Sequence, residues 1–347
     1  MSTPNRADDG GLGVTAPENR PTPVPALIDD VTRTAIHYRR NHFPYPDVDV
    51  SAWSLPVTGA VEHSLDLTLA DLEALPARAA TVLLECAGHR RTDFSPPISG
   101  VQWSLGALSQ AQWAGISLAS VLELAGVRPE AVEVVFHGAD AGPFGELPGT
   151  HTFSRSIPIA KALHADTLLV TSMNGERLPR EHGAPVRALV PGWYAMDSVK
   201  WITRIDVVTE PFRGPFQELD YRFQAVDDPG IGTRIDEMRI HALFASIADG
   251  DHVPAGAIEL SGIAWSGVGV ASVEVRVGAG DWEPAELVKS GPYERVLWTV
   301  TADLPSGQQT IAVRSTDALG RTQPVAPVWN RRGYVNNSVQ RISVLAT

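Results

Sequence analysis

The chain has 347 residues, 44% hydrophobic and 20% charged, a length that predicts two domains at about 150 residues each and a composition that excludes wholesale disorder or a coiled coil. Its 28 basic and 40 acidic side chains give a net charge of −12, which disfavours nucleic acid and anionic membrane as partners. An anionic substrate would need a local basic pocket working against the global field, so clustered arginines carry weight.

In chain order, residues 1–25 are rich in Pro, Gly and Asn and read as a flexible N-terminal arm. They lack the apolar stretch of a signal peptide, and Arg39 and Arg40 are followed by NHFPYPDVD where a twin-arginine signal would turn apolar, so a cytoplasmic location is expected. No run approaches 18 apolar residues, so no membrane-spanning helix is expected. Residues 26–234 mix strand and helix signals. AATVLL (Ala79 to Leu84) and AVEVVF (Ala131 to Phe136) read as buried strands. SLASVLELAGV (Ser117 to Val127) reads as a helix with a serine start and Gly126 as its stop. SIPIAKAL (Ser156 to Leu163) reads as a shorter helix with Pro158 in its first turn. Strands and helices that do not strictly alternate predict an α+β domain. Over residues 235–347 the pattern changes to short alternating strands. Val273, Val275 and Val277 share one face, Glu274 and Arg276 the other, and a turn follows at Gly278 to Asp281. RVLWTVTADLPSG and QQTIAVRSTDALG repeat the theme, which predicts an all-β immunoglobulin-like sandwich.

The sole cysteine, Cys86, excludes an internal disulfide and any multi-cysteine metal site, and no C-x-x-C-H haem attachment is present. Cys86 ends an apolar strand and precedes His89, Arg90 and Arg91. The plainer reading is a small buried hydrophobe. The chemical reading is a thiolate favoured by the two nearby guanidiniums, acting as nucleophile or soft metal ligand; as a ligand it would need a cofactor that brings the other ligands itself. Tyr38, Arg39, Arg40, Asn41 and His42 form a second cluster, and WNRRGYVNN (Trp329 to Asn337) a third. Each alone could be a solvated turn or a strand-end surface patch. Together, three arginine clusters in an acidic chain suit a small oxyanion, whose oxygens match the guanidinium fork.

The strings RNHFPYP, LLECAGHRR, GVQWSLGALSQAQWAG, MNGERLPREHGAPVRALVPG, SVKW and VWNRRG, in that order, resemble the sulfite oxidase family of molybdenum-cofactor enzymes from about residue 30 to the end. The resemblance implies an α+β molybdopterin-binding catalytic domain of the sulfite oxidase type (26–234), followed by an immunoglobulin-like dimerisation domain (235–347). It makes Cys86 the single protein ligand to molybdenum. Asn41, His42, Asp140, His182, Arg187, Ser198, Val199 and Lys200 match positions that hold the pterin and its phosphate. Arg40, Arg91 and Arg332 match the lining of the oxyanion pocket, with Trp103 as its wall and Tyr221 as the hydroxyl beside the reacting oxygen.

The implied reaction is oxidation of sulfite to sulfate by oxygen-atom transfer. The expected cofactor is molybdenum-molybdopterin without haem, and the expected assembly is a homodimer. Electrons would pass to an external acceptor such as a c-type cytochrome. Alternatives are another small sulfur or nitrogen oxo compound as substrate, or a non-catalytic interaction protein of the same fold. Two departures from the family pattern stand out. His89 follows the CAG string where Asn is usual, and Ala195, Met196 and Asp197 replace Gly-Ala-Arg. An acid in place of a base at the cofactor edge or channel mouth is expected to alter substrate preference. Retention of Arg91 points back toward sulfite.

Overall fold

The computed structural model describes residues 17–288 and 291–347. Of the arm expected over residues 1–25, residues 1–16 lie outside the described residues, and the rest is tied down. Asn19–Arg20 pair antiparallel with Arg39–Arg40, and Thr22 is buried with its hydroxyl donating to the Ile36 carbonyl. These contacts offset the chain entropy that composition alone favoured.

Two five-stranded sheets build the first part. One runs Glu176–Arg177, Leu168–Met173, Leu108–Ser117, Ala77–Glu85, with Arg187–Leu189 also paired to Leu168–Met173. The other runs Leu65–Thr68, Ser54–Gly59, Ile202–Val208, Glu133–Phe144, Leu147–Pro158, and its pairing of Ile202–Val208 with Ser54–Gly59 is parallel. The helix expected after Ser117 spans Leu118–Ala125. It buries Leu118, Val121, Leu122 and Ala125 and stops at Gly126, whose φ of 67° is the left-handed cap a glycine tolerates. Ser117 sits at its start, yet the hydroxyl makes no capping bond.

The helix expected over Ser156 to Leu163 is mostly strand. Ser156, Ile157 and Pro158 continue the ladder against Val135, Val134 and Glu133, and only Ile159–Ala162 turn helical, with Pro158 before the first turn instead of in it. Cross-strand pairing overrides the local helical pattern there.

The strand Ala77–Glu85 delivers the cysteine. Its alternation sends Val82, Leu84 and Cys86 into one apolar cluster with Trp113, while Leu83 and Ala87 enter another with Tyr221 and Trp265. Both faces are covered at this end, which explains the unbroken apolar run.

The second part is a two-sheet sandwich. One sheet runs His241–Phe244, Gly256–Trp265, Val296–Leu304, Glu286–Val288; the other runs His252–Val253, Gln340–Ala346, Gly307–Asp317, Val270–Val277, Glu283–Pro284. Leu260 and Trp298 from the first meet Val273, Val275, Val313 and Val344 from the second. Val277, expected on the same inward face, is only half-buried at the strand end, and Glu274 pairs with Arg314 on the outer face. The cluster holding Leu83, Ala87 and Tyr221 also contains Leu243, Ile263 and Trp265, so the two parts share a core beside the cysteine.

Candidate functional site

The segment after Ala77–Glu85 is pinned to the sandwich. The Val335 N–H donates to the Ala87 carbonyl at 2.7 Å, Asn336 Nδ2 to the Arg90 carbonyl at 3.0 Å, and Arg90 Nη1 to the Ser338 carbonyl at 2.6 Å. Trp265 Nε1 donates to Glu85 Oε2 at 2.9 Å, while Glu85 Oε1 meets His89 Nδ1 at 3.0 Å and lies 3.7 Å from His241 Nε2. Burial pushes the Glu85 carboxyl up to about 7 and the His89 imidazole down to about 3. His89, the first departure noted in the sequence, therefore belongs to a buried knot that fixes the cysteine segment and does not line the cavity beside Cys86.

Cys86 faces an inner cavity of about 670 Å³. Asn41, Asp140, His182, Arg187, Ser198 and Lys200 line it, as do His42 and Val199. The eight residues expected to hold a pterin and its phosphate thus converge with the cysteine. Lys200 Nζ donates to Asn41 Oδ1, Arg187 Nη1 to the His182 carbonyl at 3.3 Å, and Ser198 Oγ accepts from the Val190 N–H at 3.0 Å. His182 Nε2 lies 3.2 Å from the Thr34 carbonyl and its ring meets His37 edge-on. Arg187 stacks over Trp113 and Lys200 over Trp201.

This cavity is rich in buried cation. Among the described residues neither Arg187 nor Lys200 has a carboxylate within ion-pair distance, and Arg187 Nε and Asn41 Nδ2 are buried without a hydrogen-bond partner. Burial lowers Arg187 to about 10, and burial with Arg187 nearby lowers Lys200. Asp140 is raised by burial against the pull of Lys200. Uncompensated buried charge of this kind is costly unless an anion completes it. A soft thiol and an anion-seeking cluster in one cavity fit a metal cofactor that carries its own ligands and a phosphate. The Cys86 thiol is raised, because burial outweighs Arg40 and Arg91; this reverses the lowering that sequence neighbours suggested.

Arg40 and His42 also line an outer cavity of about 910 Å³, together with Arg91, Arg331, Arg332 and Tyr334. The three expected oxyanion arginines therefore meet there. Arg91 is buried, donating to the Gly333, Val101 and Arg332 carbonyls at 3.2, 2.8 and 3.2 Å and lying over the Tyr334 ring. A Cβ at Gly88, Gly100 or Gly333 would sit 3.0–3.1 Å from its guanidinium, so these glycines form the slot that admits it. Arg332 is exposed and donates to the Leu219 carbonyl at 2.6 Å. Tyr221 is buried in the lining of the inner cavity, its hydroxyl 2.6 Å from His42 Nε2, which lines both cavities, and its ring stacked on Tyr334 of the outer one. Burial raises its phenol above the ordinary range.

Two expectations fail. Trp103 is buried in the cluster that holds Cys86 and Trp113 but lines neither cavity, so it packs behind the cysteine and is not a pocket wall. Asp197 is fully buried, with Oδ1 2.8–2.9 Å from Arg155 nitrogens and 3.5 Å from Arg234. Its charge is neutralised inside the fold and does not face a channel. Arg155 in turn lies over the Tyr221 ring and donates to the Phe216 carbonyl, so this ion pair supports the tyrosine from below. Sequence reasoning missed Arg155, which stands alone in FSRSIP. It also missed His37 in the inner lining and the glycine slot, whose members come from three separate strings.

Residues 42–216 match the family model of the oxidoreductase molybdopterin binding domain, and residues 233–347 that of the Mo-co oxidoreductase dimerisation domain. The mitochondrial sulfite oxidase of Rattus norvegicus is 36% identical over 93% of this chain and 63% of its own length. The sulfite oxidase of Arabidopsis thaliana is 33% identical over 94% of this chain and 91% of its own length. The chain thus spans less than two thirds of the mitochondrial relative. The crystal structure of the sulfane dehydrogenase SoxCD from Paracoccus pantotrophus superposes with a TM-score of 0.81 at 24% identity, covering 100% of this chain and 96% of that one, a likeness of fold.

Proposed function

The chain belongs to the sulfite oxidase family of molybdenum-cofactor oxidoreductases, and on that premise we propose that it oxidises sulfite to sulfate with a molybdenum-molybdopterin cofactor seated in the inner cavity. The observation that carries the reading is the placement of the chain's one thiol among buried cations that, among the described residues, have no carboxylate within ion-pair distance, beside a cavity lined by arginines. When bound, the cofactor supplies two-electron oxygen-atom transfer chemistry. Cys86 would be the protein's ligand to the metal, and Arg187, Lys200 and His182 would hold the phosphate end. Asn41, Asp140, Ser198 and Val199 would line the pterin.

The remaining steps belong to the chain's own side chains. Arg40, Arg91 and Arg332 draw the anion into the outer cavity against the net charge of −12, and Arg91 does so from a slot that fixes its guanidinium before substrate arrives. Tyr221 and His42 are hydrogen-bonded at 2.6 Å, and His42 lines both cavities. Burial and the Arg40 charge hold His42 neutral, so the pair offers the arriving anion a hydroxyl without adding charge.

Electrons are proposed to leave for an acceptor outside these 347 residues. A small basic redox protein, such as a c-type cytochrome, fits the acidic chain, and its reaction rate should fall as salt rises. The sandwich is proposed to pair two copies into a homodimer, which light scattering would report. The deciding experiment is elemental analysis of the purified chain together with sulfite-dependent reduction of a dye acceptor. Stoichiometric molybdenum with sulfite turnover supports the reading; metal without sulfite turnover rejects the substrate, and absence of both rejects the enzyme.

A further inference from the structure

The outer cavity holds more positive charge than one small oxyanion requires. Besides Arg40, Arg91 and Arg332 it is lined by a fourth guanidinium, Arg331. Arg331 and Arg332 are consecutive, and a turn at these two residues lets both reach the same space, where an extended strand would send them to opposite sides. Arg331 is exposed, its side chain donates only to the Val226 carbonyl, at 3.2 Å, and no carboxylate pairs with it among the described residues. The one acid in the lining, Asp220, is engaged by the Tyr334 hydroxyl at 2.7 Å.

Depth separates the cations. Arg91 is buried with its donors aimed at backbone carbonyls, whereas Arg331 and Arg332 stand exposed on the opening turn. A ligand held at Arg91 and Arg40 could extend toward the solvent and place a second negative group between Arg331 and Val226, replacing a single long backbone bond. A lone oxyanion seated at the deep arginines would leave Arg331 without a role.

We propose that Arg331 forms an outer anion position and that the outer cavity takes a sulfur oxyanion bearing a second anionic group. This rests on the proposed reading of that cavity as the substrate site and extends its substrate class beyond sulfite, which carries no second anionic group. Inert sulfonates test it without turnover. Calorimetric titration of the holoenzyme with ethane-1,2-disulfonate and with ethanesulfonate should give at least about tenfold tighter binding of the disulfonate, the scale of one charge-assisted contact. In Arg331→Leu the preference should shrink to within about threefold, while Arg177→Leu, an exposed arginine that lines neither cavity, should keep it.

Equal binding of the two sulfonates overturns the inference, as does a preference that survives Arg331→Leu. A preference lost equally in Arg177→Leu assigns the effect to the general field and also overturns it. Sulfite turnover measured on the same wild-type preparation keeps the two readings apart. Disulfonate preference without sulfite oxidation leaves the outer position standing and removes sulfite as substrate, while sulfite oxidation without the preference does the reverse.

Discussion

The two cavities share Arg40 and His42 but solve opposite electrostatic problems. The inner one buries Arg187 and Lys200 with no ion-pair partner among the described residues and leaves polar atoms unbonded. The outer one saturates its buried cation, Arg91, with three backbone carbonyls, keeps Arg40 half-buried and leaves Arg331 and Arg332 on the surface. An unsatisfied buried cation is destabilising until an anion arrives, so the inner cavity is suited to a resident group held for the life of the enzyme. A pre-satisfied rim gains little from any one ligand and releases it readily, which suits a substrate and its product.

The sharpest way to break this contrast is to remove the inner cavity's one soft ligand. Cys86→Ala should reduce sulfite turnover to background while leaving the thermal unfolding midpoint close to wild type, because few buried atoms are lost. Molybdenum content is a weaker readout here, since phosphate contacts can retain the pterin. Near-normal turnover would remove Cys86 from the metal.

Next in size is the phosphate end. Lys200→Met deletes a buried amine that bonds Asn41 and, among the described residues, has no carboxylate within ion-pair distance, though Asp140 acts on it from farther away. Cofactor binding should weaken by about 10- to 150-fold, the range for a charge-assisted hydrogen bond. Elemental analysis after desalting would show depleted molybdenum. In the apo chain the same change should be neutral or stabilising, because a buried charge held without an ion pair is gone and only the longer-range pull of Asp140 is lost with it. Full cofactor retention together with loss of apo stability would reverse the assignment of the inner cavity.

A smaller effect is expected at the outer rim. Arg332→Gln should raise KM for sulfite by about tenfold, the low end of the charged-bond range, because the side chain is exposed and screened. Cofactor content should not change. If molybdenum fell and KM held, the division between a resident and a transient site would fail.

How much of this was legible in the sequence depends on range. The cysteine's strand, the helix before Gly126 and the alternating valines of the sandwich follow from spacing alone, because period two and period 3.6 are local properties. The strand fate of Ser156 to Pro158 was hidden, since its ladder partners lie more than 20 residues upstream. The inner lining was legible through ordered strings that resemble one family. What stayed hidden was pairing across the fold. Asp197 looked like a charge at a channel, and only three dimensions bring Arg155 and Arg234 against it. Trp103 was expected as a wall only through the family resemblance, yet its side chain packs in the apolar cluster that holds Cys86 and Trp113.

The finest test of the contrast uses a proton as the probe of the inner cavity's charge. His37 lines that cavity, fully buried; burial above all, with Arg187, Arg39 and Lys200, pushes its imidazole down to about 3 against a bond to the Tyr38 carbonyl. Its folded-state value lies below the ordinary 6.5, so the unfolded chain takes up the proton first. Stability from this group is therefore complete above pH 6.5 and is lost as pH falls from there toward 3, by at most about 1.4 kcal/mol per unit. Urea unfolding of the apo chain at pH 7, 6 and 5 should show His37→Gln losing stability less steeply than wild type, with the gap widening as pH falls. Parallel curves would mean that His37 titrates normally and that the cavity is not short of anion. With the cofactor in place its phosphate offsets the same cations, so the wild-type slope should flatten toward that of the variant. Holo and apo slopes that coincide would leave the inner cavity's charge uncoupled from what it holds.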